Sequence, residues 1–323
     1  MGEASNRGGR AALAGISLGL IALASRYAPA TPIDALLRPR RPAARVALHL
    51  RVPRLPSDAA APTSSAPATP DRFATAEARA ACPADMTLVD GEFCPEIELR
   101  CVRPGYGHGC AEYERGVACA GKLDHRRYCV DRYEWPNEVG ENPRVFVDWF
   151  EAKALCAGAH KRLCRRTEWM LACEGPKRMP YPYGYVRQPS PCNLDRAALG
   201  FDVNAMMKDV TREGELARLW QADKIGAHPD CVSAYGAYDM AGNVDEWTDE
   251  GADDPSTDNP AALHGGYWGP VRDTCRLATT SHGPTFRFYQ VGFRCCGDTI
   301  DGVETPPPRP WVDTHHGKGR ELH

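Results

Sequence analysis

No cysteine precedes Cys82, and none of the chain's fourteen cysteines sits in a C-x-x-C pair. Zinc knuckles and thioredoxin-type redox motifs need that spacing to bring two sulfurs together, so both are excluded. None of the ten histidines stands four residues from another, so there is no H-x-x-x-H pattern. A net charge of −3 leaves no overall excess of basic groups of the kind a nucleic-acid binder carries. There is no internal repeat and no heptad. No apolar run clearly reaches the roughly 20 residues of a membrane-spanning helix.

What is present starts with those cysteines. They are even in number and widely spread, which in an exported chain reads as a disulfide framework; free buried thiols are the alternative. The N-terminus supports export. Arg7 and Arg10 precede an uncharged stretch, residues 11–25, rich in Leu, Ile and Ala. A basic flank and a short apolar run have the shape of a signal peptide, with Ala28-Pro29-Ala30 as a cleavage site weakened by its proline. An uncleaved anchor is the second reading of residues 1–30, because Arg26, Arg38, Arg40, Arg41 and Arg45 suit a cytoplasmic flank. Residues 31–81 are rich in Ala, Pro and Arg and read as a disordered linker. Residues 301–323, with PPPRPW and His315, His316 and His323, read as a loose tail.

Between these flanks, 82–300 reads as one loop-rich domain. Met86 to Phe93 alternates apolar and polar residues around a turn residue, which predicts a strand and hairpin. The cysteines between about 94 and 129 predict a disulfide-stapled insertion outside the core. Tyr128 to Asn137 reads as a strand ended by Pro136. Asp148 is a good N-cap for a helix to Ala157, and a second helix spans Arg166 to Glu174 until Gly175-Pro176 stops it. One or two short helices fit the stretch from Asn193 to about Gln221, and Phe286–Tyr289 and Val291–Cys295 read as short strands. The run Tyr235 to Trp247, YGAYDMAGNVDEW, alternates small, aromatic, amide and acidic residues too quickly for a helix or a clean strand. It reads as ordered loop.

Several segments in this order resemble the formylglycine-generating enzyme family, the sulfatase-modifying-factor domain. They are Met86–Phe93, Val130–Asn137, Trp149–Ala152 leading to Cys156, Lys161–Leu163, Glu168-Trp169, Tyr181–Gly184, Asn193, Tyr235–Trp247, His264–Gly266 and Gly292–Cys295. The match runs over roughly 82–297. It implies an α+β fold, the family's variant of the C-type lectin fold. It also implies two disulfides, Cys156–Cys295 and Cys173–Cys275. Cys164 and Cys296 flank these partners and are a further expected pair.

The resemblance does not carry the family's oxidase chemistry with it. The copper-dependent members place two cysteines five residues apart shortly after the Gly-Gly motif, where paired thiolates suit Cu(I). Here Gly265 to Cys275 holds one cysteine, already assigned to a disulfide, and copper is not expected. The iron-dependent sulfoxide-synthase relatives need histidines that this chain does not group. His108, His125, His160, His228, His264 and His282 read as surface or hydrogen-bonded structural residues. Calcium is implied at Gly242, Asn243, Val244 and Glu246, where oxygen ligands on a bent loop suit a hard cation. A hydrogen-bonded turn without an ion is the alternative. Asp245 stands where many members carry Trp. A second calcium position is implied by Asn193-Leu194, with no evident acidic partner.

Two functional expectations follow. One is a calcium-stabilised recognition or scaffold module, with Tyr267, Trp268, Phe286 and Phe288 lining a cleft for a peptide, glycan or protein partner; the same aromatics could equally form the core. The alternative is an oxidoreductase of the formylglycine-generating or non-haem-iron kind with a divergent site. Its candidate catalytic groups are Arg272, Asp273, Arg276 and His282, with Glu246 beside them. A membrane-tethered surface binder is a third class, suggested only by the basic linker.

Overall fold

The computed structural model describes residues 73, 75–105, 109–253, 258–303 and 307–309. The apolar N-terminal segment, most of the Pro-rich linker, His108 and the tail histidines lie outside the described residues.

In chain order the elements are helix α1 (Ala76–Ala81), strands β1 (Met86–Phe93), β2 (Cys101–Pro104), β3 (Cys110–Tyr113) and β4 (Asp124–Asp131), and helix α2 (Trp149–Gly158). Then come β5 (Arg162–Leu163), α3 (Arg166–Glu174), α4 (Val203–Met207) and α5 (Asp209–Leu219). The last strands are β6 (Asp245–Asp249), β7 (Ala261–His264), β8 (Ala278–Thr279), β9 (Val291–Phe293) and β10 (Cys295–Gly297). They form two four-stranded sheets, β1-β4-β10-β5 and β8-β7-β6-β9, and a separate β2-β3 pair. The fold is α+β, rich in loops and stapled by disulfides.

The first sheet follows from alternation. β1 buries Thr87, Val89 and Phe93 on one face, with Met86 buried at its start, and pairs antiparallel with β4 over its whole length. The second sheet is buried through its centre: every residue of β6 and β7 is buried. The chain passes between the sheets at Arg294. Residues before it pair parallel with β6, and residues after it pair antiparallel with β4 and β5.

Helix α2 starts where Asp148 accepts the Glu151 amide at 2.8 Å and buries Ala152 and Cys156, one turn apart. Helix α3 has the bounds expected from its apolar spacing, and all nine of its residues are buried. A helix buried on every side must pair its charges internally. Arg166 bonds Glu250 at 2.5 Å, Arg162 bonds Glu168 through two contacts of 2.7 Å, and Arg276 bonds Glu174.

The fourteen cysteines form seven disulfides. Cys156–Cys295, Cys173–Cys275 and Cys164–Cys296 are the pairs named from the sequence. The others are Cys82–Cys129, Cys94–Cys119, Cys101–Cys110 and Cys192–Cys231.

Four expectations need correction. Ordered chain starts before residue 82: Thr75 caps α1, and the Cys82–Cys129 bridge fixes the helix to β4. The Cys-rich insertion ends before β4, because residues 124–131 are an inner strand of the first sheet and Cys129 is fully buried. Phe286–Tyr289 is not a strand; its aromatic rings pack on one another in irregular chain. The tail is not wholly loose, since Asp301 takes both Nη groups of Arg127, and the Arg309 amide donates to Asp124. At the two ends of the domain a cap and a bridge, and an ion pair and a backbone hydrogen bond, anchor segments whose composition favours disorder.

Candidate functional site

The Tyr235–Trp247 run folds back on itself through left-handed backbone at Asp239, Gly242 and Asn243. Gly242 is required there. A Cβ at this position would lie 2.3 Å from the Asn193 carbonyl oxygen, which already accepts the Asn243 amide. Asn243 acts as a brace. Its side-chain oxygen accepts from Asn193 Nδ2 (3.1 Å) and the Asp223 amide (2.8 Å), and its Nδ2 donates to Glu134 (2.6 Å). The second Glu134 oxygen accepts the Val244 amide. So the Asn243 side chain, expected as a calcium ligand, is already occupied in holding the turn.

Glu246 is fully buried. Arg294 Nε and Nη2 bond its two oxygens at 2.7 and 2.6 Å, and Trp169 Nε1 donates to Oε2 at 2.7 Å. Asp239 lies in the same cluster, and its Oδ1 is buried with no hydrogen-bond partner. Three buried carboxylates, Glu134, Asp239 and Glu246, therefore surround one guanidinium. Burial and then the neighbouring Asp239 and Glu246 push Glu134 well above the usual carboxylate range. Burial lifts Asp239 to about 7 against the opposing pull of Arg294 and His228.

An orphaned carboxylate oxygen amid uncompensated negative charge fits a cation. Among the described residues no three His, Cys, Asp or Glu side chains converge as a ligand set. A cation here would draw on backbone carbonyls as well. The Asn193-Leu194 position differs. Arg196 bridges Asn193 Oδ1 (2.8 Å) to Asp223 (3.0 Å), so a guanidinium stands between those oxygens.

The second region lies after Gly266, whose left-handed conformation lets the chain double back. A Cβ there would lie 2.0 Å from the Arg272 carbonyl. Trp268 is core, at 1% exposed. Tyr267, Phe286 and Phe288 are half-buried, and Phe201, 49% exposed, packs edge-on against Phe288 at 4.9 Å. Cys275 is bonded to Cys173.

The candidate catalytic groups do not converge on one pocket. Arg272 Nη2 bonds Asp245 and the Leu263 carbonyl. Asp273 pairs with Arg187 at 2.8 Å, and burial lifts its carboxyl to about 6. Arg276 holds Glu174 and the Cys94 carbonyl. His282 stacks flat on Phe286 at 3.7 Å. Arg272, Asp273 and Arg276 are each engaged by a local partner, whereas the His282 ring only stacks on Phe286. The residues missed from sequence are Glu134, Asp239 and Arg294. All three lie inside the quoted segments, but only the folded chain brings them together.

The sulfatase-modifying factor enzyme 1-like domain matches residues 110–299. The inactive C-alpha-formylglycine-generating enzyme 2 of Bos taurus is 30% identical over 202 residues, covering 55% of this chain and 59% of that protein. The formylglycine-generating enzyme of Mus musculus is 27% identical over 176 residues, covering 49% and 45%. The chain spans about half the length of these curated relatives. The crystal structure of CarF superposes with a TM-score of 0.43 at 16% identity, over 67% of this chain and 98% of that one.

Proposed function

The chain belongs to the sulfatase-modifying factor enzyme 1-like family, and we propose that it is an exported member acting as a recognition or scaffold module, without copper-dependent formylglycine-generating activity. One observation carries this reading: Cys275, the only cysteine in the loop after Gly266, is bonded to Cys173, and no free cysteine remains. Copper-dependent oxidation in this family rests on thiolates, and none is left to bind the metal. Seven disulfides also favour folding in an oxidising, extracytoplasmic compartment. No helix among the described residues is long and apolar enough to cross a membrane.

Calcium belongs to the same proposal. Asp239 and Glu246 would hold it with the carbonyls of Gly242 and Val244, and the ion would supply the positive charge that Arg294 alone does not. A second ion at Asn193-Leu194 would have to displace Arg196. The partner surface is the ridge of Phe201, Tyr267, Phe286 and Phe288, offered to a peptide, glycan or protein.

Metal analysis and thermal unfolding of the purified chain test this reading. The expected result is no stoichiometric copper or iron, no oxidation of a cysteine-containing sulfatase peptide, and a melting temperature raised by Ca²⁺ and lowered by EGTA. The calcium response should shrink in Asp239→Asn. Bound copper with peptide oxidation would sink the non-oxidase reading, and an unchanged melting curve would sink calcium.

A further inference from the structure

Among the described residues, five of the twelve large apolar side chains left exposed fall in one stretch, Leu199 to Val210. Phe201 packs on Phe288 and belongs to the aromatic ridge. Beyond it, Val203 and Met207 stand one helical turn apart on α4, at 49% and 50% exposed, and Val210 at the start of α5 is 93% exposed.

Helix α5 hides one face and leaves the other bare. Glu215 and Leu219 are buried and Arg212 and Leu216 half-buried, at helical spacing. Val210, Glu213, Gly214 and Ala217 occupy the opposite side, and all are exposed. Gly214 sits inside the helix, where glycine is a poor former, and a Cβ there would meet nothing in this chain. A glycine with open space around it suits close approach by another surface.

The charges on this face are of both signs. Arg212 is turned to Asp209 and the Met206 carbonyl. Lys208 and Glu213 are exposed, and neither has an ion-pair partner among the described residues. Residues 199–213 carry three acids and two bases, so the stretch has no basic excess to attract an anionic lipid surface. A cation and an anion flanking an apolar centre are complementary to a second copy of themselves. A two-fold axis beside Val210 sets that residue against its own copy and forms the Lys208–Glu213 pair twice, as an isologous interface requires.

We propose that this face of α4 and α5 joins two copies of the chain in a symmetric dimer. Val210 lies at the axis, Met207 and Gly214 pack beside it, and Lys208 of each copy pairs with Glu213 of the other. The contact does not depend on the aromatic ridge having a partner, nor on calcium.

Analytical ultracentrifugation of the full chain over a range of concentrations tests the dimer. A monomer–dimer equilibrium is expected. Val210→Glu should weaken it by about tenfold or more, and so should Lys208→Glu and Glu213→Lys taken singly. The two charge changes together should restore the dissociation constant to within about threefold, because the pair re-forms with its signs exchanged. All three positions are exposed, and unfolding curves should show every variant folded. A monomer at every concentration would overturn the proposal, as would a dimer indifferent to Val210→Glu, which would place self-association elsewhere. A dimer that the double change does not restore would overturn the two-fold pairing. Pelleting of a monomer with phosphatidylserine vesicles, abolished by Val210→Glu, would assign the face to lipid instead.

Discussion

Arg294 turns its guanidinium onto Glu246, with Nη2 to Oε1 at 2.6 Å and Nε to Oε2 at 2.7 Å, at the residue where the chain leaves one sheet for the other. Both side chains are buried, at 0% and 1% exposed. Arg294 also donates to the Tyr238 and Asp131 carbonyls, so the pair ties both sheets to the Tyr235–Trp247 turn. Removing one partner of a buried pair leaves the other charge uncompensated, which costs about 3–5 kcal/mol. Arg294→Met should therefore lower the urea midpoint severely. Arg294→Lys should not restore it, because an ammonium cannot bond both Glu246 oxygens and two carbonyls at once. Full rescue by lysine would mean that charge alone matters here.

The long-range disulfides are the second brace. Cys173–Cys275 closes a loop with a sequence separation of 102. In the chain-entropy picture a loop of that size stabilises by roughly 4–5 kcal/mol. Replacing both cysteines with alanine should lower stability by that order, measured by chemical denaturation. Peptide mapping without reductant should recover Cys173 and Cys275 joined. An alkylatable Cys173 in the unreduced protein would contradict the pairing.

Much of this frame is legible in the sequence. Helix α3 was bounded by spacing and by Gly175, and α2 by the Asp148 cap, since both signals are local. Two disulfides, Cys156–Cys295 and Cys173–Cys275, follow from the family resemblance, and Cys164–Cys296 from its position beside those partners. The site was less legible. Asn243 and Glu246 look like ligands in a linear motif. Only the fold reveals that Asn243 braces Glu134 across 109 residues and that Glu246 faces Arg294 across 48. Of the four aromatics that the sequence leaves open between cleft and core, Trp268 is core, while Tyr267, Phe286 and Phe288 keep some exposure. Burial on that scale depends on what packs opposite, and local sequence does not carry it.

Buried acids set the expected pH response. Burial lifts Asp253 to about 6, against Arg126 and Thr167, and lifts Asp273 to about 6, against Arg187. An acid whose folded pKa is raised binds its proton more tightly in the native state. Its contribution is full below the ordinary carboxylate value and is lost as pH rises towards 6. His264 acts in the opposite sense: burial, then Arg166, depresses it, so its contribution is lost as pH falls below its ordinary value of 6.5. The two effects overlap, and a single-site variant separates them. The change in melting temperature caused by Asp253→Asn should be more favourable at about pH 7.5 than at about pH 4.5. Equal shifts at both values would show that Asp253 does not titrate in this window.

Gly242 tests the turn directly. Its φ of 81° is in the left-handed region, and a Cβ would meet the Asn193 carbonyl oxygen at 2.3 Å and Leu194 Cδ2 at 2.5 Å. Gly242→Ala therefore combines backbone strain with a contact against main chain that cannot rotate away. The cost should exceed about 1 kcal/mol, the size of a compatible Gly-to-Ala change in the favourable direction. The Asn193 carbonyl would be pushed from the Asn243 amide, and the Asn243–Glu134 brace would shift with it. Under the calcium proposal the same variant should also lose most of the Ca²⁺-dependent rise in melting temperature, because the Gly242 and Val244 carbonyls move together. A destabilised Gly242→Ala protein that kept the full calcium response would place the ion elsewhere in the chain.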